Sequence, residues 1–152
     1  MSVIQSQSVA EAMLRETAER VTRGRVMVLA CLLDARRALT HSEVEVAIGR
    51  AHTMDRVTVY RVLEWLTEQG LAHRISGDDR VWRFRAQRHS HRGTHPHFQC
   101  NTCGEVVCLD ETPRVPVVHL PAGFQRGEVE LTVKGLCGGC APRKPARSAR
   151  AR

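Results

Sequence analysis

The first seventy residues carry apolar positions at helical spacing, broken by start and stop signals. Residues 9–20 read as a short helix, and Thr22 opens a second that runs through RVMVLACLLDARR. Thr40-His41-Ser42-Glu43 has the capping-box spacing, with Thr placed to accept an amide hydrogen bond and Glu to reach back. The helix it opens sets Val44, Ala47, Ile48 and Ala51 on one face. Asp55 can cap the next helix, where Val59, Val62, Leu63 and Leu66 repeat the stripe, and Gly70 follows as a stop. Joined by the short turn His52 to Met54, these two form a helix-turn-helix. Two strands follow, Leu71–Ile75 and Val81–Arg85, around the turn Ser76-Gly77-Asp78-Asp79. Helix-turn-helix plus hairpin is a winged helix.

On the second helix of that pair the apolar stripe must face its neighbours. Arg61 then points away from it, with Tyr60 and Thr58 on the flanks. Such a face can enter the DNA major groove, Arg reading guanine or holding phosphate and Tyr packing on a thymine methyl. Arg56, Thr58, Tyr60 and Arg61 are therefore the candidate DNA contacts. Glu64 and Glu68 share the face and would repel phosphate, so periodicity fits an ordinary solvated face as well.

Composition narrows the class. The chain has 152 residues, 42% hydrophobic and 26% charged, as in a soluble protein of one domain or two small ones. Its longest unbroken apolar run, Val26 to Leu33, is far shorter than the roughly 20 residues of a membrane helix. The start lacks a basic region followed by an apolar stretch, so no secretory signal, no membrane partner and a cytoplasmic location are expected. Residues 1–86 hold 13 basic and 11 acidic groups, residues 87–140 five of each, and residues 141–152 five basic and none acidic. The sequence pI near 9.7 thus belongs mostly to a basic, disordered tail. Either that tail is passive or it leans on nucleic acid by charge alone.

Five of the six cysteines lie beyond residue 99, and four of the eight histidines fall between His89 and His97. Cys100-x-x-Cys103 and Cys137-x-x-Cys140 each offer two thiolates on one tight turn, and together they supply the closed tetrahedron of a structural zinc site. His95 and His97 are two apart, so in an extended segment both imidazoles project to one side. With Cys108 they suggest a second, labile metal site, for which His89 and His91 are alternates. The competing reading is a solvated histidine-rich hinge with a small buried cysteine. Cys31 reads as core, His41 and His52 as surface residues near helix ends, and His119 has no assigned role.

These pieces, in this order, resemble the ferric uptake regulator (Fur) superfamily of bacterial metal-responsive repressors, most of all its zinc uptake regulator (Zur) members. The resemblance covers roughly residues 9–141. It rests on Thr22-Arg-Gly-Arg25-Val-Met-Val-Leu29, Thr58-Val-Tyr60-Arg61-Val-Leu63, Gly70-Leu71, His95-x-His97-x-x-Cys100-x-x-Cys103-Gly104 and Gly135-x-Cys137-x-x-Cys140. It implies an α+β protein, with a winged-helix DNA-binding domain over 1–86 and a hinge over 87–94. A small α/β dimerisation and metal-binding domain over 95–141 and the basic tail over 142–152 complete it. It also implies that Tyr60 and Arg61 contact operator DNA, that the four knuckle cysteines hold structural Zn2+, and that His95 and His97 belong to the regulatory site. His73 and Cys108 fall where zinc-sensing members resembling this chain place ligands. The sequence departs from the family at Arg83, where an acidic or thiol ligand is usual, and at Thr94 and Pro96, so an additional metal site is expected to be absent. Asp110 to Phe124, with three prolines, is shorter and more broken than the family's helix there.

The function implied is a non-enzymatic, metal-dependent repressor that binds double-stranded operator DNA as a homodimer and controls metal-uptake genes. Several imidazoles with one thiolate suit Zn2+ as the sensed metal, with Fe2+ the alternative. Iron- or peroxide-responsive regulation is the runner-up within the family. Outside it stand a zinc hydrolase, against which no Glu or Asp stands near the histidine run as a general base and no nucleophile motif occurs, and a metal chaperone, from which a metal-dependent footprint on duplex DNA would separate the regulator.

Overall fold

The computed structural model describes residues 3–49, 54–77, 79–87, 96–109, 119–127 and 129–142. Its helices begin on the caps offered by the sequence. Thr22 accepts from the Arg25 amide at the start of α2 (Arg23–Asp34), and Asp55 accepts from the Thr58 amide at the start of α4 (Arg56–Glu68). Thr40 and Glu43 form the reciprocal capping box of α3 (His41–Ile48), which ends at Gly49 with φ 75°, a conformation that suits glycine.

The first helix, α1 (Val3–Arg15), starts and ends about six residues earlier than its periodicity predicts. Its buried stripe is Ser6, Ala10 and Leu14, all fully buried, and the Ser6 hydroxyl bonds the Asp34 carboxylate. A polar residue on the core face hid the first two turns. The amide and hydroxyl of Thr17 both bond the Leu14 carbonyl, at 3.2 and 2.7 Å, and close the helix there. Helix α2 stops at Asp34 rather than Arg37, because Ala35 is extended and turns the chain toward a two-residue strand, β1 (Leu39–Thr40).

The wing strands β2 (Ala72–Ser76) and β3 (Trp82–Ala86) pair antiparallel, and β1 adds to the other edge of β3. One face of this sheet sends Ala72, Phe84 and Ala86 into the helical core with Leu29, Val44, Val59, Leu63 and Leu66. The opposite face buries Ile75 against Ala38 and Val106. That second contact joins the wing to a second sheet, of order β5-β4-β6, made of β4 (His97–Cys100), β5 (Val106–Cys108) and β6 (Thr132–Gly135). A backbone bond from the Ala38 amide to the Val106 carbonyl, 2.9 Å, links the two halves. Strand β4 runs antiparallel to β5 and parallel to β6. The protein is thus a winged helix followed by a small mixed sheet, and no described residue beyond Glu68 is helical. Residues 119–127, which include the described end of the expected broken segment, have no helix or strand and turn at Pro121–Phe124 through Gly123 with φ 87°.

Candidate metal centres and nucleic-acid face

The parallel register of β4 and β6 sets Cys100 beside Gly135, so the turns that follow both strands emerge at the same end. Gly135 lies under Phe98, whose ring would stand 3.2 Å from a side-chain carbon added there. The first knuckle curls with the Gly104 amide on the Cys100 carbonyl, 3.0 Å, and the second with the Cys140 and Ala141 amides on the Cys137 carbonyl. The sulfurs of Cys100, Cys103, Cys137 and Cys140 all lie within 4.8 Å of one another. Cys103 and Cys137 are 3.7 Å apart, against about 3.8 Å for two thiolates of a zinc tetrahedron with Zn–S near 2.3 Å. The Cys103 amide, followed by that of Cys137, pulls the Cys100 thiol down to about 6. The Cys140 thiol donates to the sulfurs of Cys137 and Cys103, which pushes it up to about 12. The arrangement favours the first thiolate and resists the last, which is the charge imbalance a divalent cation relieves.

The second cluster spans both halves. His97 and Cys108 face each other across β4 and β5, and His73 comes from the wing strand β2. The His73 Nε2 lies 3.4 Å from the His97 Nε2 and 3.4 Å from the Cys108 Sγ. Tetrahedral zinc with two imidazoles and a thiolate needs such separations at about 3.3–3.6 Å, so the donor set fits that ion. His89, His91 and His95 lie outside the described residues, as does Thr94. Arg83 takes no part in the cluster: buried on the same wing face, it forms a two-pronged ion pair with Asp79, 2.7 and 3.0 Å. The residue opposite His73 is Arg85, whose guanidinium donates to the Ala35 carbonyl.

On α4 the structure separates the faces as the periodicity predicts. Val59, Leu63 and Leu66 are buried, while Arg56, Thr58, Tyr60 and Arg61 are exposed. Glu64 is engaged by the Tyr60 hydroxyl, whose pKa it raises, so its charge is partly answered within the helix. His41 is more than a surface residue. Its ring is half-buried, its Nε2 is 3.0 Å from the Arg56 carbonyl, and its centroid is 6.0 Å from that of Tyr60. It ties the start of α3 to the start of α4. His52 lies outside the described residues, and His119 is exposed. Cys31 packs half-buried against the core, and burial raises its thiol to about 11.

Sequence reasoning passed over two exposed wing residues, Arg74 and Trp82, which share a face with the buried Ala72 and Phe84. Strand alternation carried the signal.

Comparison with known proteins agrees with this architecture. Residues 16–115 match the profile of the Ferric uptake regulator family. The transcriptional regulator FurA of Mycobacterium tuberculosis is 32% identical over 143 residues, covering 89% of this chain and 92% of that protein. Among solved structures, a zinc uptake regulator complexed with zinc and DNA superposes with a TM-score of 0.65 at 19% identity, covering 91% of this chain and 95% of that one. The ferric uptake regulator of Pseudomonas aeruginosa with manganese gives 0.59 at 25% identity, over 84% and 97%.

Proposed function

Because the chain belongs to the ferric uptake regulator family, and is thus a metal-responsive transcriptional regulator, we propose that it senses Zn2+ and represses as a homodimer on operator DNA. The observation that carries this reading is the His73–His97–Cys108 cluster, which draws one ligand from the wing and two from the second sheet. Two imidazoles and a thiolate, with no carboxylate joining them among the described residues, form a donor set that suits zinc better than the oxygen-rich sites of harder cations. Its solved relatives carry different metals, zinc in one and manganese in another, so donor chemistry is the better guide.

Zn2+ bound there would supply a cross-link between the two halves of the chain. His73 holds the wing end of that link, and the antiparallel pairing of β4 with β5 presents His97 and Cys108 as one preformed jaw. On the far side of the winged helix, α4 offers Arg56, Thr58, Tyr60 and Arg61 to the major groove. The wing's orientation sets where α4 points, so holding the wing favours the spacing of two α4 helices that one operator accepts. The four-cysteine site, closed by protein ligands, serves as the structural zinc of the second sheet. His95, two residues before His97, is the candidate fourth ligand of the sensor.

Mobility shifts of an operator selected from a random duplex pool, with Zn2+, Fe2+, Mn2+ and Ni2+ side by side, test the reading. Zinc should promote binding at the lowest free metal concentration. A shift driven by anaerobic Fe2+ and not by Zn2+ would move the chain to the iron-responsive branch, and a shift indifferent to all four would remove the sensor.

A further inference from the structure

Alternation along β2 gives the wing two faces with different jobs. His73 and Ile75 face the second sheet, while Ala72, Arg74 and Ser76 face the side where α4 packs. On β3, Trp82 and Phe84 share that latter side, opposite Ser76 and Arg74. Near the core this face is buried through Ala72 and Phe84. Toward the wing tip it runs out beyond the helices, and Trp82 is left 42% exposed. The Arg74 guanidinium lies over the Trp82 ring, 4.6 Å from its centroid, a contact that restrains a flexible side chain on the indole. The Arg74 charge also reaches the Tyr60 hydroxyl on α4, so this platform adjoins the recognition helix. Asp79 is paired with Arg83, Glu64 accepts from the Tyr60 hydroxyl and keeps its charge, and Arg61 and Arg80 are exposed. A planar cation lying over an exposed indole, beside the exposed face of α4, complements a sugar-phosphate backbone.

We propose that Arg74 and Trp82 form a second DNA contact on the wing, Arg74 pairing with a phosphate that flanks the groove occupied by α4 and Trp82 covering the adjacent sugar. The inference rests on the regulator reading and deepens it. One strand then carries a sensor ligand, His73, and a DNA contact, Arg74, at adjacent positions on opposite faces. Metal at the first would restrain the second directly, with no relay through the helical core.

The chain has two tryptophans, and Trp65 lies half-buried beneath Arg25, so a Trp65→Phe protein reports on Trp82 alone. In zinc-loaded protein saturated with operator duplex, acrylamide quenching of Trp82 should fall by half or more relative to the free protein. Arg74→Ala should lower affinity alike on operator and random duplex, and reduce the slope of log affinity against log salt by about 0.9. Its thermal midpoint should stay at the parent's value, since the side chain is exposed. Bound duplex with Trp82 still fully quenchable, or an unchanged salt slope, overturns the wing contact and leaves the regulator standing. Protection of Trp82 on concentrating the protein without DNA would assign the face to a second copy, and also overturns it. Failure of the parent protein to bind any duplex overturns the regulator reading and this inference together.

Discussion

Replacing His73 by Ala removes the member of the second cluster that comes from the winged helix, while His97 and Cys108 remain paired across β4 and β5. The variant should therefore separate holding metal from responding to it. Two ligands on one rigid hairpin still bind Zn2+ weakly, but nothing ties it to the wing. Coupling between an effector site and a second ligand is typically about 1–3 kcal/mol, roughly 5- to 150-fold in affinity, and the full amount should vanish. Fold cost is small, about 1 kcal/mol, because His73 is only half-buried and its backbone pairing with Arg85 is retained. Anisotropy of a labelled operator at buffered free zinc reads the coupling, and elemental analysis reads zinc content. The expected outcome is operator affinity at the parent's zinc-free value whatever the free zinc, with the structural zinc equivalent intact. His97→Ala and Cys108→Ser should lose the response too, but with deeper loss of weak zinc binding, since each breaks the jaw itself. A His73→Ala protein stimulated by zinc as strongly as the parent would refute the bridging argument.

Cys137→Ser opens the four-cysteine cluster, and because metal binding and folding of a structural zinc site are coupled, the second sheet should unfold and the proposed homodimer should dissociate; a folded Cys137→Ser dimer with full zinc content would refute the structural role. Arg61→Ala should cost about 1–3 kcal/mol in operator binding if the guanidinium reads a base, and equal loss on random duplex in a competition assay would mark a phosphate contact instead. Glu43→Gln weakens the capping box of α3 and the 2.6 Å ion pair to Arg37, at about 1 kcal/mol near neutral pH. The Arg37 guanidinium holds the Glu43 carboxyl down to about 2, from 4.5. Its stabilisation is therefore present above pH 4.5 and lost as pH falls toward 2, so the parent and Glu43→Gln denaturation midpoints should converge over that window. Midpoints that stay equally apart at low pH would count against the ion pair.

Local chemistry was the part of this fold most open to sequence reading. Thr22, Thr40 and Asp55 cap helices through neighbours three residues away, and a capping box is complete within four residues. The C-x-x-C knuckles are equally local, and their pairing needed only the expectation of a closed tetrahedron. What escaped depends on partners distant in the chain. Helix α1 was misplaced because Ser6 occupies a core position and is satisfied there by Asp34, 28 residues away. Strand β1 is two residues long, too short for alternation to show, and exists through its pairing with Phe84 and Arg83. No spacing rule brings His73 to His97 and Cys108; that grouping was anticipated only through family resemblance, and depends on the contact of Ala38 and Ile75 with Val106. Arg83 departs from the family's ligand type, and its ion pair with Asp79 in the wing turn gives the substitution a different structural use.

If zinc and operator DNA favour one arrangement of the wing, as proposed, reciprocity makes their coupling measurable in the unmodified protein. The affinity of the regulatory site for Zn2+ is determined by chelator competition twice, without DNA and with saturating operator duplex, and operator affinity is determined with and without zinc. The duplex should tighten zinc binding by the same factor by which zinc tightens duplex binding. Zinc affinity unchanged by the operator, in protein that binds the operator, would contradict it.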